Sequence, residues 1–537
     1  MSEPGNESDP DSVPRPDAVT LPSAPVPPLA VIDIGASAVR LTVAERTPAG
    51  GLKILEEASR GVLLGKDTFT HGRLTAPAME ATLKVLEGFK RLLEGYGVLR
   101  LRAVATSAVR EASNRDTFLD RVRLRTGLNV EVIDGSEENR LTHLAVRDAL
   151  GDHPALTSGT ALVVEIGGGS GDLTILLDGV PKFSGTYALG AIRLRQSLGT
   201  WQGPHDRRVR LLARHIHNVV EDLKREVTLH DVRHFIALGG DMRFVVSRLH
   251  QDDAPDQRHA LVGREEFLRL CDELSALPSE TLVERFRLGP VDAETLVPAL
   301  LAYRALLEET DARSIVVPRA SLRLGLLLDL ARGEEAARMA DLSRLVMASA
   351  VALGEKYHFD ATHGHAVAHL ATRLFDDLRV EHGLDDHDRL LLMVAALLHD
   401  IGIHVNRNGH HKHTQYLVSA SDIFGLTRDD LAVVANVTRY HRRALPQKSH
   451  LPYAQLDRET RVRVSKMSAL LRVANALDAE HMQKVWDVRV LRRPDEWALE
   501  VEGTGDFTME RLMVQSRADL FAEVFGWKLA FREPGRT

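Results

Sequence analysis

Two carboxylates flank a glycine turn in Val163-Val164-Glu165-Ile166-Gly167-Gly168-Gly169-Ser170-Gly171-Asp172-Leu173-Thr174-Ile175. Glycines let backbone N–H groups close on an anion and leave no Cβ in the way. Glu165 and Asp172 beside such a cradle suit a divalent cation, which offsets the repulsion between carboxylate and phosphate. The pattern occurs once more, without a gap, in Val31-Ile32-Asp33-Ile34-Gly35-Ala36-Ser37-Ala38-Val39-Arg40-Leu41-Thr42-Val43. Asp33 falls on Glu165, Gly35 on Gly167, Leu41 on Leu173 and Thr42 on Thr174. A third stretch, Thr106-Ser107-Ala108-Val109-Arg110, puts hydroxyls and an arginine at a strand end entering a helix, which suits phosphate contacts. Capping by Thr106 or Ser107, with Arg110 on the surface, explains it equally. A fourth, Gly135-Ser136-Glu137-Glu138, reads as an N-cap serine with acids in the first turn, and that alone accounts for both glutamates.

The elements that position these groups follow from the hydrophobic pattern. Apolar runs enter and leave each glycine turn, so strand, tight turn, strand is predicted for both. A dinucleotide fingerprint would open a helix after its glycines, and no Gly-Lys-Ser/Thr follows, so a P-loop is excluded. Two such hairpins, each starting a long α/β segment, predict a duplicated lobe with a cleft between the copies. Pro77 to Tyr96 has apolar residues at helical spacing, and Arg100 to Ala105 and Val130 to Ile133 read as strands. A helix is predicted over roughly 206–228. Phe235 to Asp241 and Ser314 to Arg323 are two more strand-to-turn segments. From about 335 to 485 the chain is helical and rich in histidine. The end, 488–531, reads strand, strand, helix, strand.

At 537 residues the chain is too long for a single core. A hydrophobic share of 44% and a charged share of 27% are those of a soluble globular protein. Net charge is −7, which argues against whole-surface nucleic-acid binding. One cysteine, Cys271, excludes internal disulfides and cysteine-rich metal sites, and a reducing compartment fits. Neither a signal peptide nor a membrane-length apolar run is evident, so the cytoplasm is the expected location. Residues 1–28 are rich in Pro, Ser, Asp and Glu and predict a disordered tail.

The order of these motifs resembles that of the exopolyphosphatase/guanosine pentaphosphate phosphohydrolase (Ppx/GppA) family of the actin-like ATPase superfamily. Ile32-Asp33-Ile34-Gly35 resembles its first phosphate loop and Glu165 to Ser170 its second. Ala105 to Glu111 is similar to the family's Ala-Thr-Ser-Ala-x-Arg stretch, and Ser136 to Leu141 to the stretch holding its catalytic glutamate, here Glu138. Leu189-Gly190-Ala191 and Leu238-Gly239-Gly240 fit later motifs. The resemblance implies two actin-like (ribonuclease H-like) α/β lobes over 29–157 and 158–332, a helical HD-like domain over 333–486 and a small α/β cap over 487–537. It implies hydrolysis of the terminal phosphate of linear polyphosphate, with guanosine pentaphosphate as a second candidate substrate, and a homodimer. Glu138 would be the general base. Gly35, Ser37, Arg40, Thr106, Arg110, Gly167, Gly168, Gly169 and Ser170 would hold phosphate. Asp33, Glu165 and Asp172 would hold Mg²⁺ or Mn²⁺.

Two departures matter. The family usually has Asp at the place of Glu165 and Thr/Ser-Glu at Gly171-Asp172, so one acid arm is longer and the other shorter. Compensation between the two is expected. In the histidine-rich part, His365 and then His399-Asp400 look like the start of an HD-type metal site, with His410, His413 and His441 as further ligands. Asn475 stands where the pattern's final aspartate belongs, and Asp478 follows one turn later. Arg439, His441, Arg442, Arg443, Arg461, Arg463 and Lys466 offer cations for a long polyanion. Alternatives are an HD-type nucleotide phosphohydrolase, a non-catalytic polyphosphate or alarmone sensor, and a kinase sharing the hairpin logic.

Overall fold

The computed structural model describes residues 27–47, 50–198, 203–250, 258–331, 335–493 and 496–533. All but the last two residues of the expected tail lie outside this range. The first sheet contains β1 (Leu29–Ile34), β2 (Ala38–Arg46), β3 (Leu52–Gly61), β4 (Arg100–Ala105) and β5 (Val130–Val132), in the order β3-β2-β1-β4-β5. β1 to β3 are antiparallel, and β4 and β5 run parallel to β1. All six residues of β1 are buried, as expected for a central strand covered on both faces.

The second sheet contains β6 (Thr160–Ile166), β7 (Gly171–Leu177), β8 (Val180–Tyr187), β9 (His234–Leu238), β10 (His259–Gly263) and β11 (Ser314–Pro318). Its order is β10-β11-β9-β6-β7-β8. Strands β8-β7-β6-β9-β11 therefore repeat β3-β2-β1-β4-β5 strand for strand, with the same directions. The duplication predicted from two short motifs extends over both sheets. β10 is the addition, an edge strand antiparallel to β11. It was not predicted, because only Val262 of its five residues is buried and the run carries no alternation.

The lobes trade helices. Gly135–Leu150, which carries Glu138, packs Ala145, Val146 and Ala149 against Val163, Ile236 and Val316 of the second sheet. Leu322–Ala331 crosses back and packs Leu326 and Leu327 with Val31 and Val104 of the first sheet. The two helices touch where Gly325 meets the backbone of Leu141; a Cβ there would lie 2.0 Å from the Leu141 carbonyl oxygen. The two helices thus each pack on the sheet of the other lobe across the expected boundary at 157/158, and the expected boundary at 332/333 lies outside the described residues.

The remainder is helical up to Leu477 and ends in a three-stranded sheet, β12 (Val485–Arg492), β13 (Trp497–Gly503) and β14 (Leu529–Arg532). Thr508–Arg517 is a helix beyond the one predicted at Asp519–Phe525. Leu370, Val394 and Leu470 share one core with Val488, Leu499 and Phe521, so the helices and the small sheet pack as a unit. Among the described residues no helix is long and apolar enough to cross a membrane.

Candidate active site

The two glycine turns have the same wiring. Gly35 N–H donates to Ala38 O at 3.0 Å, and Gly167 N–H to Ser170 O at 2.9 Å. Turn carbonyls are consumed from behind: Ser37 O accepts from Val62 and Leu63, Gly167 O from Ala191, and Gly168 O from Ile192 and Arg193. Among the described residues, the amides of Ala36, Ser37, Gly168 and Gly169 have no acceptor in the chain. Donors rather than oxygens are left for an anion. Gly169 is required by close approach, and Gly168 is tightly placed. A Cβ on Gly169 would lie 2.2 Å from Ser107 Oγ, and one on Gly168 3.1 Å from the Ala36 methyl. The turns meet across the interlobe cleft, a cavity of about 390 Å³.

Asp33, Gly35, Ser37, Arg40, Thr106, Glu138, Glu165, Gly167, Gly168, Gly169, Ser170 and Asp172 all line this cavity. Arg110 does not. Its guanidinium donates to Glu138 Oε1 at 2.5 Å and to Ile133 O at 2.7 Å, so its partner is the glutamate. The phosphate contact expected of Arg110 is not what its geometry shows. Glu138 and Glu137 are separated by their helix. The N-cap is Asp134, which accepts from Glu137 N–H, and not Ser136 as expected. Glu137 turns outward into ion pairs with Arg102 and Arg140, both also bonded to Asp329. Glu138, one position on, faces the cleft.

The two hairpins differ in one electrostatic respect. Asp33 is in register with Arg40 across β1 and β2, with the charges 3.6 Å apart. At the matching position across β6 and β7, Glu165 faces Asp172, acid against acid. Asp172 accepts from Thr186 Oγ1 at 2.7 Å and Glu165 from Thr142 Oγ1 at 3.1 Å. Burial and the neighbouring Asp172 push Glu138 up to about 8 and Glu165 up to about 7. Burial also raises Asp172 and Asp33, and it raises Asp241 to about 7 with help from Asp292. Buried carboxylates that hold one another's protons on are the donor set a hard divalent cation fits. Its place on charge grounds is the second hairpin, since Arg40 already sits beside Asp33.

Polar cleft residues that were not singled out from sequence include Asp241, Arg243, Arg323 and Thr142. The first three follow strand-to-turn segments that were recognised, Leu238-Gly239-Gly240 and Pro318 onward. The position just after such a turn was the available signal. Thr142 sits one helical turn beyond Glu138, and that spacing pointed to it.

The helical part departs further from expectation. His365 is exposed, and the buried histidine of that helix is His363. Two residues along a helix is about 200° of rotation, so only one of the pair can face inward. His399 and Asp400 do meet His363, and His410 and His441 join them, but His413 does not. Asp478, rather than Asn475, completes the arrangement by accepting from His363. The expected cations are largely committed: Arg461 bonds Leu456 O, Arg463 bonds Asp388, Lys466 bonds His382 O, and His441 is buried.

Two α/β lobes of repeated topology that exchange helices around a cleft define the actin-like class. The sequence matches the Ppx/GppA phosphatase family over residues 42–334 and Ppx/GppA phosphatase domain III over 345–517. The chain belongs to the Ppx/GppA phosphatase family. It is 25% identical over 431 residues to a guanosine-5'-triphosphate,3'-diphosphate pyrophosphatase of Vibrio campbellii, covering 78% of this chain and 81% of that protein. It is 34% identical over 184 residues to exopolyphosphatase 1 of Mycobacterium leprae, 34% of this chain and 53% of that protein. The fold resembles an exopolyphosphatase from Cytophaga hutchinsonii at 23% identity and a TM-score of 0.53, over 57% of this chain and 99% of that one.

Proposed function

We propose that this chain is an exopolyphosphatase that removes the terminal phosphate of linear polyphosphate, with guanosine pentaphosphate as a second substrate of the same chemistry. One observation carries the reading. Glu138 reaches into a cleft whose opposite turns present unpaired amides, and its affinity for a proton is raised to the neutral range. A base is most effective when its pKa lies near the working pH.

The amides of Ala36, Ser37, Gly168 and Gly169 hold the terminal phosphoryl oxygens. Arg40, Arg243 and Arg323 line the same cavity and face the phosphates behind it. Glu138 orients a water in line and takes its proton; the water oxygen bonds to the terminal phosphorus as the anhydride bond breaks, and orthophosphate leaves together with a chain one unit shorter whose new terminal oxygen keeps the bonding pair. Arg110 fixes the Glu138 carboxylate and is a positioning residue. Thr142 and Thr186 aim Glu165 and Asp172. These two acids, with Asp33 at the edge, would hold Mg²⁺ or Mn²⁺, which supplies charge neutralisation at the phosphate oxygens.

The test is phosphate release from long polyphosphate and from guanosine pentaphosphate, side by side, with and without divalent cation. Release from polyphosphate that needs the cation supports the reading. Tight polyphosphate binding with no release in Mg²⁺ or Mn²⁺ replaces it with a sensor.

A further inference from the structure

Outside the cleft, four buried imidazoles converge on one carboxylate in a way that neutral rings alone do not satisfy. His363 Nδ1 lies 2.7 Å from Asp478 Oδ2. His399 Nδ1 lies 2.7 Å from Ala396 O, His410 Nδ1 3.0 Å from Arg407 O, and His441 Nδ1 2.6 Å from Thr438 O. Carbonyl and carboxylate oxygens only accept, and Asp478 also accepts from the Gln483 backbone and side chain, as an ionised group does. Each neutral ring therefore carries its hydrogen on Nδ1 and turns a bare Nε2 lone pair inward. Those lone pairs face one another in twos. The Nε2 atoms of His363 and His399 are 3.3 Å apart, and those of His410 and His441 are 3.1 Å apart.

Asp400 stands between the pairs. Its Oδ1 is 3.1 Å from His410 Nε2 and 3.4 Å from His441 Nε2, and its Oδ2 is 3.6 Å from His399 Nε2. Two possible metal-holding groups, one with His363 and His481 and one with His410 and His441, share this aspartate. Lone pairs meeting lone pairs beside a carboxylate repel unless a cation lies among them. The second sphere is already built: a ligating imidazole commonly donates its other N–H to a carboxylate or carbonyl, as all four do here.

We infer that the helical part carries a two-metal site for first-row transition-metal ions, with one ion on His363, His399 and Asp400 Oδ2 and the other on His410, His441 and Asp400 Oδ1. Imidazole-rich donors favour Fe(II), Co(II), Ni(II) or Zn(II) over Mg²⁺. None of these residues lines the interlobe cleft, so the site is separate from the cation proposed for hydrolysis there. The competing account keeps a proton on one ring of each pair, with Asp400 as counter-ion and no metal.

The experiment uses the full-length protein. Metal content is measured on material purified without chelator from metal-supplemented medium. Chelator-stripped protein is then titrated with Co²⁺ and followed by visible d–d absorption and thermal unfolding. The inference expects about two ions per chain, d–d absorption of nitrogen-rich Co²⁺, and a rise in Tm. Asp400→Asn and the double variant His399→Ala/His441→Ala should lose both signals, while Glu138→Gln keeps them. One ion per chain overturns the pair. No absorption and no Tm rise for the stripped wild-type protein overturns the site, and that result does not depend on whether any variant folds.

Discussion

Glu165 and Asp172 face each other in register across β6 and β7, where the first hairpin places Asp33 against Arg40. The difference of a single side chain decides which half of the cleft attracts a cation. It also bears on the length of the acid arms. Shifting a carboxylate by one methylene moves it by more than ~1 Å, and misplacement of that order costs ~10²-fold in rate. Glu165→Asp and Asp172→Glu are each expected to lower kcat by about that factor, and the double variant to recover part of the loss. Steady-state phosphate release checks it, and a double variant no better than the worse single contradicts compensation. The glycine turns and their flanking acids were legible because their chemistry is written into adjacent residues, whereas Glu138, which helix capping alone explained, was pointed to only by the family resemblance. The pairing of Arg110 with Glu138 was not, because it joins residues on different elements and depends on how the strand ends converge. His363 against His365 was missed for a related reason: two histidines on one helix look alike until the packed face is known.

At the scale of elements, the Glu138 helix is fixed from both sides. Its N-cap Asp134 accepts from Glu137 N–H inside the helix and from Arg428 N–H of the helical part at 2.8 Å. Its middle is crossed by Leu322–Ala331 at Gly325. Gly325→Ala forces a Cβ against backbone that cannot rotate away, so overpacking is expected to cost about 1–3 kcal/mol. Denaturant unfolding measures that loss, and an unchanged midpoint would show that the crossing is looser than its geometry. The sheets were predictable because buried strands announce themselves as apolar runs. Helix exchange between lobes was not, since a helix's amphipathic pattern names its buried face but not the sheet that covers it.

For the whole molecule, the cleft stores like charges. Glu138, Glu165 and Asp241 have folded-state values raised to about 8, 7 and 7, above their ordinary range. A raised carboxylate contributes stability that is full below its unfolded value and is lost as pH rises through the folded one. Without divalent cation, Tm should therefore fall between about pH 4.5 and pH 8, from the ordinary carboxylate values up to the raised ones. Mg²⁺ binds the ionised acids, so its stabilising shift should be larger at about pH 8.5 than at about pH 6. Equal shifts at both values, read by scanning calorimetry, would place the cation elsewhere.

All of this converges on Glu138. Glu138→Gln keeps the size and a hydrogen-bonding group beside Arg110 but cannot take a proton. Phosphate release from polyphosphate should fall by about 10²–10⁴-fold in kcat, while polyphosphate binding measured by calorimetry stays within a few-fold of the parent. A variant that still releases phosphate at close to the parent rate would contradict the assignment of Glu138 as the base.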